Sequence, residues 1–194
     1  AETHSQQGET RKALEVLRSS ISPQTEDPQQ QFAVATALWN QAEYLEASEW
    51  FERCVKNAYR STEAALLRAR CLIKLSREDQ AIEVLGNIKQ LTGDEATQVA
   101  FYHGVALYQS DRAGQALPHF IRSYKLAGAV HNRVLAQRAA RNALACYAEI
   151  ARAKVRDGNY LQAAKVLEVL RKNLKKGDEQ YQPVTESLTE CYVH

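Results

Sequence analysis

Ala47-Ser48-Glu49-Trp50-Phe51-Glu52-Arg53-Cys54 is the stretch that decides the fold. A small residue is followed four positions later by a large apolar one, and three beyond that by another side chain pointing the same way. Spacing of four and then three is one face of an α-helix. The phrase recurs as Ala13-Leu17-Ser20, Ala81-Leu85-Ile88, Ala116-Phe120-Ser123 and Ala163-Leu167-Leu170, its alanines 34, 34, 35 and 47 residues apart. A period near 34 residues is that of a helix-turn-helix solenoid.

Working outward from these second helices, the breakers place the remaining elements. Gly8-Glu9-Thr10 opens a helix reaching about Ser20, and a linker containing Pro23 and Pro28 follows. Helices are expected over Gln29–Gln41, Leu45–Ala58, Ser61–Leu75, Asp79–Leu91, Glu95–Gln109 and Ala113–Ala127, with Asp94 as an N-cap and Gly128 as a terminator. Asn132 to Arg156 carries no breaker, so a helix of about 38 Å is expected there. Tyr160–Leu174 ends at Lys175-Lys176-Gly177, and one more helix follows around Pro183. No segment alternates with period two over β-branched residues, so no sheet is expected.

Composition narrows the class. An apolar content of 45 % suffices for a core, and a formal net charge of +2 is too small for a general nucleic-acid binder. No apolar run approaches the roughly 20 residues that cross a bilayer. Cys54, Cys71, Cys146 and Cys191 are far apart in sequence, with no C-x-x-C pair. Three of them fall in apolar helical stretches, which suits buried free thiols and a reducing, cytoplasmic setting. An exported, periplasmic setting is the alternative if Ala1 follows a cleaved signal peptide. Because the first phrase lacks most of its partner helix, a fragment of a longer array is the preferred reading of the N-terminus.

On these residues the chain resembles the tetratricopeptide repeat (TPR) family. Ala35, Leu38, Tyr44, Ala47 and Phe51 occupy the family's small, large and aromatic positions in the first full repeat. Ala69, Leu72, Ala81 and Leu85 do so in the second, and Gly104, Leu107, Ala116 and Phe120 in the third. Departures are Gln31, Ala65 and Ala100 where the family often has tryptophan, and Tyr59, Gly93 and Gly128 where it often has proline. The resemblance implies an all-α, right-handed α-solenoid of helix-turn-helix repeats. Its expected divisions are a truncated repeat's second helix at 8–27, full repeats at 28–61, 62–95 and 96–130, an extended repeat at 131–177 and a terminal helix at 178–194.

In such arrays the first helices line a concave groove. The alanine phase then aims Phe32, Thr36 and Trp39, then Leu66, Arg70 and Ile73, then Phe101, Val105 and Tyr108 inward. Aromatic and arginine anchors of this kind suit a peptide or amphipathic helix of a protein partner. The chaperone-tail clamp of some family members is not expected, since Arg70 is the strip's one cation and cannot alone grip a carboxylate from several sides. On the long helix, Arg138, Arg141, Arg152 and Arg156 fall within about 60° at 100° per residue, a stripe that could meet an acidic partner.

Catalytic signatures are missing from the sequence. The five histidines show no H-E-x-x-H or H-x-x-x-H spacing, and there is no nucleophile elbow, P-loop or dinucleotide fingerprint. Pairs such as Glu46 with Glu49 read as surface charge. The expectation is therefore a non-enzymatic interaction scaffold with no metal or cofactor. Its partner is a protein or peptide rather than nucleic acid, and self-association stays open. A secretion chaperone or envelope scaffold, and the regulatory domain of a larger enzyme, are the alternatives.

Overall fold

The computed structural model describes residues 27–89, 91–174, 176–178 and 181–193. The expected helix over 8–21, with Ala13, lies outside them. Nine helices and no strand occur among the described residues. They are α1 (Pro28–Asn40), α2 (Tyr44–Lys56), α3 (Ser61–Lys74), α4 (Glu78–Gly86), α5 (Gly93–Gln109), α6 (Ala113–Ala129), α7 (Arg133–Arg156), α8 (Tyr160–Asn173) and α9 (Tyr181–Val193). They fall into two compact units, one ending at Leu91 and the other beginning at Thr92.

In the first unit α1 packs on α2, α2 on α3 and α3 on α4. Its core gathers Phe32, Leu38, Phe51, Cys54 and Cys71 around Ala35, Ala47 and Ala64. In the second unit each helix from α5 to α9 packs on the next. Phe101, Leu107 and Phe120 are buried between α5 and α6, while Leu167, Leu170, Val184 and Leu188 cluster where α8 meets α9. The phase alanines Ala47, Ala81, Ala116 and Ala163 have no accessible surface at all. A methyl group is what fits where two helix backbones approach closely.

A second periodic feature accompanies them. Ala42, Ser76, Asp111 and Gly158, each five residues before a phase alanine, all adopt positive φ between 54° and 72°. The residue after each donates its N–H backwards to a carbonyl five positions earlier: Glu43 to Leu38, Arg77 to Leu72, Arg112 to Leu107 and Asn159 to Lys154, at 2.8–3.0 Å. This closes the last turn of the first helix and redirects the chain into the second.

Three expected boundaries are corrected. The helix starting near Asp79 stops at Gly86 rather than Leu91, because Gly86 and Asn87 are poor helix formers. Helix α6 runs through Gly128 to Ala129; glycine with negative φ merely costs propensity there. Thr92, not Asp94, caps α5, and Asp94 sits in its first turn. There it accepts from Gln98 Nε2 at 2.6 Å and from Asn132 Nδ2 at 3.1 Å. Asn132 itself caps the long helix by accepting the Leu135 N–H at 3.1 Å. All four cysteines are free and buried.

Candidate functional site

In the first unit, α1 and α3 carry the six residues expected on the binding strip, and the structure divides them. Phe32 and Leu66, at 8 % and 6 % exposure, belong to the interior rather than to a groove. The Phe32 ring meets Phe51 edge-on at 5.7 Å and Tyr59 at 6.2 Å, and the Arg60 guanidinium covers it at 4.4 Å. The reason is positional: one helical turn of the strip is consumed by packing against the paired helix. Thr36 is half-buried, and its hydroxyl donates to the Phe32 carbonyl at 2.8 Å. Trp39, Arg70 and Ile73 remain half-exposed.

Trp39 and Arg70 are brought together across the two first helices. The guanidinium carbon of Arg70 stands 4.6 Å above the indole, a cation–π contact. The Tyr44 ring, half-exposed at the start of α2, tilts against the same indole at 5.2 Å. In the sequence Tyr44 stands out only as a repeat position. Its place one short turn beyond the end of α1 was the signal that it would reach Trp39.

In the second unit Phe101 is 2 % exposed and is likewise removed from the expected strip. It packs edge-on against Phe120 at 5.8 Å, and Arg138 lies 4.7 Å over its ring. Val105 and Tyr108 stay half-exposed. Tyr108 lines a cleft of about 770 Å³ between the end of α5, the start of α6 and the last turns of α7, with Arg112, Glu149, Ile150, Lys154 and Arg156. Burial, and then the neighbouring Glu149 carboxylate, raise its phenol pKa, so the hydroxyl is a neutral donor. The extra length of α7 supplies one wall of this cleft, a role the sequence could not assign.

The arginine stripe divides as well. Arg138, Arg141, Arg152 and Arg156 are all exposed. Arg152 bonds the carboxylate of Glu149 one turn back, and Arg156 borders the cleft. Arg138 and Arg141 stand on the acid-free first part of the helix.

The titratable pair of most interest is His103 on α5 and His119 on α6. Their rings stack at 4.2 Å with planes 31° apart. Burial, reinforced by His119, lowers the His103 pKa to about 4, while burial and the Arg122 charge lower that of His119. Two neutral imidazoles meeting by their faces direct their lone pairs past each other, which is stacking geometry rather than chelation. Among the described residues no group of three or more His, Cys, Asp or Glu side chains could hold a metal ion. No described helix is long and apolar enough to cross a membrane.

A family model described as "Anaphase-promoting complex, cyclosome, subunit 3", built of TPR-like repeats, matches residues 6–88. Among the solved structures that match, two that cover most of the chain are of MamA, a TPR-containing protein. One is MamA 41-end from Desulfovibrio magneticus RS-1, with 16 % identity, TM-score 0.58, and 92 % of this chain and 93 % of that one covered. The other is a MamA RS-1 double mutant, with 16 % identity, TM-score 0.56 and 88 % of each chain covered. The chain has the all-α fold of TPR-like helical repeats. No curated protein sequence matches it.

This likeness supports a protein-interaction scaffold. Helix pairs of this kind pack as rigid rods and leave some side chains half-exposed along the first helices.

Proposed function

We propose that this scaffold recognises a peptide or helical segment of a protein partner on its first-helix face, with Trp39, Tyr44 and Arg70 as the anchor in the first unit. The observation that carries this reading is the cation–π stack of Arg70 on a half-exposed Trp39. Trp, Tyr and Arg dominate interface energetics because each offers a large contact surface together with polar hydrogen-bonding groups. Here the three are pinned by one another, so ordering them on binding costs little more. Ile73, on the same helix as Arg70, adds apolar area. In the second unit Val105 and Tyr108 with their cleft serve the same purpose. The four buried thiols support a reducing, cytoplasmic setting.

The test is site-specific photocrosslinking. A benzoylphenylalanine at Ile73 should capture the partner, and Trp39→Ala with Arg70→Ala should remove most of the adduct while helicity is retained. Undiminished adduct in the double variant, or equal capture from a probe at Glu49 on α2, would defeat the assignment.

A further inference from the structure

From Arg112 through Ala148 the chain contains six Lys and Arg and no Asp or Glu. All 23 acidic residues therefore lie elsewhere, with 19 of the 25 cations, so the rest of the chain is net negative. This acid-free stretch is helix α6 and the first two-thirds of α7, which pack against each other. Arg122 and Lys125 on α6, and Arg133, Arg138 and Arg141 on α7, are all exposed. Among the described residues none of the five has an ion-pair partner. By contrast Lys56, Arg60, Arg68 and Arg152 each meet a carboxylate.

This arrangement costs stability. Arg122 and Lys125, like Arg138 and Arg141, are spaced i, i+3, where like charges repel by a few tenths of a kcal/mol per pair. Arg133 opens α7, the end of a helix at which a cation is disfavoured. Water and salt screen these exposed cations only in part, and a ligand carrying carboxylates would relieve the remaining repulsion. We propose that Arg122, Lys125, Arg133, Arg138 and Arg141 form a docking surface for a short acidic segment of a partner protein.

Chemistry selects that occupant. Four of the five cations are arginines, whose planar fork pairs with carboxylates through two parallel hydrogen bonds. Carboxylates three or four residues apart on an acidic helix match the spacing of each pair. A long polyanion such as RNA would run off the patch onto a chain that is otherwise net negative, whereas a short acidic segment touches the patch alone. Arg138 is already held over Phe101, so its charge is presented with little loss of freedom.

Fluorescence anisotropy of a short labelled Glu-rich peptide with the full chain tests this. The peptide should bind, its Gln-substituted counterpart should not, and affinity should fall steeply as salt rises from about 50 to about 300 mM. Replacing Arg122, Lys125, Arg138 and Arg141 by Gln should weaken binding at least about tenfold, while Lys74→Gln with Arg77→Gln leaves it unchanged. Since Arg138 also covers a core ring, a triple variant that retains it should still lose several-fold. Equal binding by the triple variant and the unaltered chain would overturn the proposal. So would tighter binding of a uridine-rich RNA or of phosphatidylserine vesicles than of the peptide.

Discussion

Gly104 lies directly beneath the ring of Phe120, so close that a Cβ there would stand 2.9 Å from two ring carbons and 3.0 Å from a third. Phe120 cannot give way, because it is fully buried and abuts Phe101. Gly104→Ala would gain about 1 kcal/mol of helix propensity and lose more to overpacking. A net destabilisation of about 1–2 kcal/mol is expected in urea unfolding. Gly128→Ala is the internal contrast, since nothing lies within 4 Å of the place its methyl group would take; it should stabilise by about 0.5 kcal/mol. Equal effects at the two sites would refute this view of the small residue.

The positive-φ turn residues make an opposite prediction at two matched positions. Ser76 and Gly158 hold φ of 54° and 72° and close equivalent turns. A left-handed backbone costs a residue with a Cβ roughly 1 kcal/mol relative to glycine. Ser76→Gly should therefore raise stability by about 0.5–1 kcal/mol, and Gly158→Ala should lower it by about 1 kcal/mol. Both effects would be read from chemical denaturation midpoints. A destabilising Ser76→Gly would show that the turn geometry is not what limits that repeat.

Alanine phase, helix pairing and the long helix were legible in the sequence because periodic burial leaves a periodic residue pattern. The left-handed turn positions were not, since Ala42, Ser76 and Asp111 are not the glycine that advertises such geometry. Which helices carry half-exposed inner residues was legible, but not which residues those are. A first helix shares its inner arc between its paired helix and the open face, and Phe32, Leu66 and Phe101 fell on the packed side. Tyr44 was missed because it belongs to a second helix and reaches Trp39 only through the sharp turn at Ala42. Charge behaved similarly: a helical wheel groups Arg138, Arg141, Arg152 and Arg156, but Glu149 claims Arg152.

Acid should weaken the second unit through its stacked histidines. An unfolded histidine titrates near pH 6.5, whereas His103 in the fold is held at about 4 and His119 is also depressed. Below pH 6.5 the unfolded chain takes up protons that the folded stack refuses. The stack's contribution is thus complete above pH 6.5, declines as pH falls towards 4, and levels off below that. Allowing for solvent screening of a ring that is only half-buried, the loss due to His103 is on the order of 2 kcal/mol. His103→Gln removes the titration and should flatten the stability profile between pH 4 and 6.5. An unchanged slope in that variant would mean that other groups carry the acid sensitivity.

Thiol chemistry checks the packing on both sides of the chain. Burial pushes the pKa of Cys71 and Cys146 up to about 12 and raises those of Cys54 and Cys191. The thiolate is the reactive form, and it must also be reached by the reagent. Cys71 and Cys146 have no accessible surface, whereas Cys191 borders a cleft of about 580 Å³ formed by α7, α8 and α9. Native protein treated with a disulfide dye at pH 8 should therefore label first at Cys191. Cys71 and Cys146 should label at least about 100-fold more slowly than in denaturant, at a rate set by opening of the helix pairs. Rapid labelling of Cys71 in the folded chain would place α3 differently against α2, and with it the Trp39–Arg70 contact on which the proposed recognition rests.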